Sequence, residues 1–127
     1  SELQKIDEAI AISSMSIARN MNIKAIIALT ESGSTALMMS RIRSDIPIYA
    51  FTRNEYTQRR VSLYRGVTSY PYKFIANTFS EVLSEVSKEL LQSETVRAGD
   101  LVLITSGSPL KVEGFTNSLR IIEIKNG

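Results

Sequence analysis

The run Ala25-Ile26-Ile27-Ala28-Leu29 passes without a break into Thr30-Glu31-Ser32-Gly33-Ser34-Thr35-Ala36. Consecutive apolar residues with no polar alternation fit a strand buried on both faces, as in the middle of a parallel sheet. A hydroxyl-rich turn around Gly33 follows, and a helical pattern opens at Ser34. In an open α/β sheet this order brings backbone N–H groups and hydroxyls to a helix start, where an anion is favoured. Thr30, Glu31, Ser32, Gly33, Ser34 and Thr35 are therefore candidate phosphate-binding residues. The competing reading is plain helix capping, which Ser and Thr also serve.

The rest of the chain repeats this alternation. Apolar residues at 3, 6, 10, 17 and 21, with Ala9, Ala11 and Ala18 beside them, space as an amphipathic helix from Leu3 to Met21. A helix from Ser34 to Arg43 carries Ala36, Leu37, Met39 and Ile42, and Pro47 closes the segment after it. Ile48 to Phe51 reads as a second buried strand, Thr52-Arg53-Asn54 as its exit loop, and Glu55 to Tyr64 as a helix stopped before Gly66. Val67 to Tyr72 is a strand made irregular by Pro71. Asn77 or Thr78 caps a helix reaching Ser93, with Phe79, Val82, Leu83, Val86, Leu90 and Leu91 as its stripe. Leu101 to Ile104 and Leu119 to Ile124 are the last strands. With no helix between them they must pair antiparallel, the final one at the sheet edge. The expected fold is α/β: one domain over residues 1–127, in three αβα layers, with a mostly parallel five-stranded sheet and an antiparallel last strand. Tyr49, Phe51, Tyr64, Tyr70, Tyr72, Phe74 and Phe79 are expected mostly in the core.

Two further segments are candidates for binding. Thr105 to Asn117 is longer than a hairpin needs, and long loops in compact domains are usually functional or mobile. Lys111 gives it a cation, and Gly107 and Gly114 give it turns. Arg53 lies at the carboxyl end of a strand, where open α/β sheets hold ligands. Arg41, Arg43, Arg59, Arg60 and Arg65 fall on helices or at their ends and read as solvated or interface charges.

Composition narrows the chemistry. The chain has no cysteine, so it has no disulfide or thiolate metal site, and it has no histidine, so no His-based triad or metal cluster. A net charge of +2 without a dense basic run gives no argument for nucleic acid. No stretch reaches the length of a membrane span, and no signal peptide opens the chain. The expectation is a cytoplasmic protein with no catalytic residues and no metal site. The start at Ser1, directly in a helical pattern, suggests a piece of something longer or a processed chain.

Several blocks taken together resemble one family. Ala11-Ile12-Ser13-Ser14, Ala25 to Ala36, Pro47-Ile48-Tyr49-Ala50-Phe51-Thr52-Arg53-Asn54, Leu63-Tyr64-Arg65-Gly66-Val67, Ala98-Gly99-Asp100-Leu101-Val102 and Gly114-Phe115-Thr116-Asn117-Ser118-Leu119-Arg120 occur in order. The chain resembles, over essentially its whole length, the C-terminal domain of pyruvate kinase. The resemblance implies an allosteric domain, with catalysis in a separate (β/α)8 barrel that uses Mg and K ions to transfer phosphoryl from phosphoenolpyruvate to ADP. It implies a phosphorylated small-molecule effector held by the loop of Thr30 to Thr35, closed over by the loop of Ser106 to Thr116. It also implies contact with the barrel of the same chain and a homotetramer in which these domains meet near the last strand. Glu31 stands where fructose 1,6-bisphosphate-responsive members often carry Lys. The stretch from Tyr72 to Asn77 leaves no counterpart of a segment that grips a second phosphate in some animal enzymes. A monophosphorylated sugar or a nucleoside monophosphate fits these departures better than a bisphosphate. Two other classes remain: a purely structural subunit-contact domain, and a free-standing enzyme, for which Glu31 has no partner acid or nucleophile.

Overall fold

The structure, a computed structural model, describes residues 2–42, 44–72, 78–107 and 117–126. Its elements run α1 (Glu2–Asn20), β1 (Ile23–Leu29), α2 (Ser34–Ser40), β2 (Ile48–Thr52), α3 (Glu55–Val61), β3 (Val67–Pro71), α4 (Phe79–Gln92), β4 (Leu101–Ser106) and β5 (Ser118–Glu123). The five strands form one sheet in the order β3-β2-β1-β4-β5. β1 pairs parallel with β2 and β4, β2 pairs parallel with β3, and only β4 and β5 run antiparallel. The expected fold class, element order and edge position of the last strand are therefore all present.

The helices divide according to the direction in which the chain steps across the sheet. From β1 it steps to β2 and then β3, and α2 and α3 cover one face together with α1. It then returns past β1 to β4, and α4 covers the other face. Right-handed crossovers require this: reversing the direction of travel moves the crossover helix to the opposite side. Two cores result. Ala11, Met15 and Ala18 of α1 join Ile26, Ala28, Ala36, Met39, Ala50, Val61 and Leu103 on the first face. Val82, Val86 and Leu90 of α4 join Ala25, Ile27, Phe51, Val102 and Ile104 on the second.

β1 begins two residues before the sequence reading placed it, at Ile23, and its register against β4 shifts between Ile23 and Ala25. The extra residue is Lys24, which stays exposed while every other residue of the strand is buried. The bulge is what puts Ile23 and Ala25 in opposite cores despite their even spacing. Pro71 ends β3, an edge strand, where a missing N–H costs no inner ladder bond.

Three expectations change in detail. α2 stops at Ser40 and α3 at Val61, each followed by shorter-range turns such as Ile42 N–H to Met39 O and Tyr64 N–H to Val61 O. The buried face of α1 is Asp7, Ala11, Ser14, Met15 and Ala18, while Ile6, Ile12 and Met21 are exposed. Small side chains allow close approach to α2 and the sheet, so this face wins over one richer in isoleucine. Of the aromatic residues expected inside, Phe51 is buried, whereas Tyr49, Tyr64, Tyr70, Tyr72 and Phe79 are half-buried; Phe74 lies outside the described residues. Phe51 stacks on Tyr70 with centroids 5.1 Å apart; Tyr49, Tyr70 and Tyr72 roof the second core rather than fill it, while Tyr64 packs against the first.

Ile26→Ala, in the central strand and 0% exposed, should cost about 2–5 kcal/mol through lost burial and a residual cavity. Leu63→Ala, at a residue 84% exposed, should stay within about 0.5 kcal/mol. Urea unfolding of both variants checks this, and equal losses would contradict the assigned core.

Candidate functional site at the switch point of the sheet

The chain's direction reverses between β1 and β4. Their carboxyl ends lie side by side, with Ala28 opposite Thr105. The turn after β1 is Thr30 to Gly33, and the connection after β4 begins at Gly107. Open α/β sheets hold ligands in the crevice at such a point, because the two connections leave toward opposite faces and separate. The turn after β1 therefore lies beside the carboxyl end of β4; of the second loop, Thr105, Ser106, Gly107 and Asn117 are among the described residues.

The turn from Thr30 to Thr35 is built by its own side chains. Thr30 N–H donates to Phe51 O at 3.0 Å, which holds the end of β1 against β2. Gly33 N–H donates to Thr30 Oγ1 (2.8 Å), and Ser34 N–H donates to Ser32 Oγ (3.2 Å). Thr57 Oγ1 of α3 donates to Glu31 O at 2.8 Å, so the turn is also tied from the side. Gly33 has a φ of 81°, and a Cβ there would lie 2.7 Å from Val61 Cγ1. Left-handed backbone and the close approach of α3 both require glycine here.

Asp7 supplies a contact that the sequence reading missed. From the buried face of α1, and only 3% exposed itself, its Oδ2 accepts from Ser34 Oγ (2.9 Å) and its Oδ1 from Thr35 Oγ1 (2.7 Å). Two of the candidate hydroxyls thus hold a carboxylate from the same chain. The positions are 27 and 28 residues apart in sequence. An acid on the apolar face of α1 was the available signal, since a buried carboxylate needs donors.

Arg53 is exposed, and its guanidinium lies over the ring of Tyr72, 4.4 Å from the centroid. Burial raises the Tyr72 hydroxyl above its ordinary pKa; Arg53 opposes that rise and Glu31 adds to it. Glu31, Arg53 and Tyr72 therefore share one electrostatic neighbourhood. Asn54, within the exit loop, caps α3 by accepting from Thr57 N–H at 3.0 Å.

The second loop is pinned at its base. Asn117 N–H donates to Ser106 O (3.1 Å), and the Ser106 and Ser118 hydroxyls are 3.0 Å apart. β4 extends to Ser106, further than expected. Lys111 and Gly114 lie outside the described residues. The Thr105 hydroxyl is buried and has no hydrogen-bond partner among the described residues, which leaves a donor at this level of the sheet. Also among the described residues, no group of acidic side chains could hold a metal ion, and no helix is long and apolar enough to cross a membrane.

Fold and site together define an open, doubly wound α/β domain with a hydroxyl-rich turn at its switch point. The family described as "Pyruvate kinase, alpha/beta domain" matches residues 8–122, and the chain belongs to that family. It is 40% identical over 126 residues to pyruvate kinase II of Salmonella typhimurium, covering 98% of this chain and 26% of that protein. With a pyruvate kinase of Buchnera aphidicola subsp. Acyrthosiphon pisum the identity is 42% over 120 residues, covering 94% of this chain and 25% of the relative. A solved pyruvate kinase of Cryptosporidium parvum superposes with a TM-score of 0.80 at 28% identity, over 94% of this chain and 23% of that one. The chain spans about a quarter of the length of the curated relatives it matches.

Gly33→Ala should destabilise the domain by roughly 2–4 kcal/mol, from left-handed strain plus overpacking against Val61. A urea midpoint equal to that of the wild type would contradict the close approach of α3.

Proposed function

We propose that this chain is the effector-binding and subunit-contact domain of a full-length pyruvate kinase. The parent enzyme would transfer phosphoryl from phosphoenolpyruvate to ADP in glycolysis, in the cytoplasm, on a separate barrel that carries the Mg and K sites. The observation that supports effector binding is the position of the Thr30–Thr35 turn beside the carboxyl end of β4, with Arg53 sharing the electrostatic neighbourhood of Glu31 and Tyr72. Hydroxyls and a glycine-bearing turn at this point suit a phosphate, and Lys111 and Gly114 belong to the segment proposed to close over it. Glu31 disfavours a second phosphate and suits hydroxyl donors, so the ligand class is a sugar or nucleoside monophosphate. The edge strand β5, with Ile121 exposed, suits the subunit contact of a homotetramer.

One observation favours the structural reading instead. Asp7 already holds Ser34 and Thr35, and an effector-free contact domain would need nothing more of them. Thr35→Ala is accordingly a poor probe of binding, since it strips a buried carboxylate of a donor and should cost about 1–3 kcal/mol of stability. Ser32 is the better choice: it is half-buried, and among the described residues its side chain is bonded within its own turn.

Calorimetric titration with ribose 5-phosphate separates the two readings. Ser32→Ala should weaken binding by about tenfold or more, the loss expected for a hydrogen bond to a charged group, with unchanged thermal stability. Glu31→Lys should raise fructose 1,6-bisphosphate affinity relative to ribose 5-phosphate by on the order of tenfold, through reversal of one nearby charge. Absence of heat with every ligand favours the structural domain, and a wild-type preference for the bisphosphate would refute the assignment of Glu31.

A further inference from the structure

The carboxylate of Asp7 is held as a phosphate would be. Each of its two oxygens takes one hydroxyl, at 2.9 Å from Ser34 and 2.7 Å from Thr35. A hydroxyl has a single proton and can direct it at one acceptor at a time. Ser34 and Thr35 direct theirs at Asp7. A phosphate that used the same two donors would have to take them from Asp7. It would also meet an acid that is 3% exposed and therefore poorly screened by solvent.

We propose that Asp7 is a built-in competitor for the effector's phosphate, and that phosphate binding at the turn releases α1 from α2. The inference rests on the effector reading of the same turn. α1 and α2 touch through small, close-packed residues, with Ala11, Met15 and Ala18 in one cluster with Ala36 and Met39. The Asp7 bonds are a polar clasp at the end of this seam nearest the turn. Opening the clasp frees the first turns of α1 while the cluster from Ala11 to Ala18 holds the remainder. α1 is thereby the element that reports occupancy of the turn. The affinity of the site is set partly by the chain's own acid, so a neutral residue at position 7 makes a tighter anion site.

The test compares the wild-type chain with Asp7→Asn, which keeps an acceptor oxygen and nearly the same shape but removes the charge. Inorganic phosphate is the probe, followed by calorimetry. Asp7→Asn should bind phosphate about tenfold or more tightly than wild type, as expected for loss of one close, weakly screened like charge. Glu8→Gln, the exposed neighbour, should change affinity by less than about twofold, because solvent screens it. Hydrogen exchange on the wild type should show faster exchange in the first turns of α1 when phosphate saturates the chain, and this readout stands even if Asp7→Asn fails to fold. Wild-type binding with equal or weaker binding by Asp7→Asn, or unchanged α1 exchange at saturation, overturns the inference and leaves the effector reading intact. If neither chain binds phosphate, both fall together.

Discussion

Right-handed crossovers govern this molecule. A parallel strand followed by a helix and a second parallel strand closes with one hand, so the return of the chain from β3 past β1 to β4 forces α4 beneath the sheet while α1, α2 and α3 stay above it. The same reversal makes the adjacent carboxyl ends of β1 and β4 the switch point of the sheet. Core division, helix placement and the position of the candidate site all follow from that one step across the sheet. The antiparallel β5 then closes one side of the sheet against β4.

Most of this architecture was legible because it is local. Ala25 to Leu29 has no polar alternation and is a central strand; Thr78 precedes an apolar stripe and caps α4, accepting from Glu81 N–H at 3.2 Å; Pro71 marks an edge. What was not legible depends on distant partners. The bulge at Lys24 is visible only through the register with β4. The buried face of α1 is chosen by how near α2 and the sheet can come, which favours Ala11, Ser14 and Ala18 over Ile6 and Ile12. Ser14, fully buried, satisfies its hydroxyl on Ile10 O within its own helix at 2.6 Å, so it disturbs nothing on that face. Within the site, the turn from Thr30 to Thr35 could be read from its hydroxyls, and Asp7 is marked as an acid on an apolar face, but their pairing could not be read, since no spacing rule links an acid in the first helix to a turn after the first strand.

The electrostatics around the turn are mixed. Asp7 faces the turn from α1, and Glu31 belongs to the turn itself; Arg53 stands on Tyr72 at the rim. Family membership says what kind of enzyme domain this is, and the balance of these charges says what the turn would accept. One phosphate could be matched by hydroxyls, backbone amides and Arg53, whereas a second would meet Glu31. The fold tolerates such a site because the turn is held independently of any ligand: by Thr30 and Ser32 from within, by Thr57 from α3, and by the left-handed Gly33 against Val61.

The central claim is that a phosphate sits at the switch point of the sheet. The most direct measurement is a two-dimensional 15N–1H NMR titration of the chain with ribose 5-phosphate. The account predicts that the amides of Glu31 to Ala36 shift together and saturate with a single affinity, accompanied by Thr105 to Gly107 at the adjacent end of β4. Shifts centred elsewhere, at the outer face of α3 or along β5, with the turn after β1 unmoved at saturation, would contradict it.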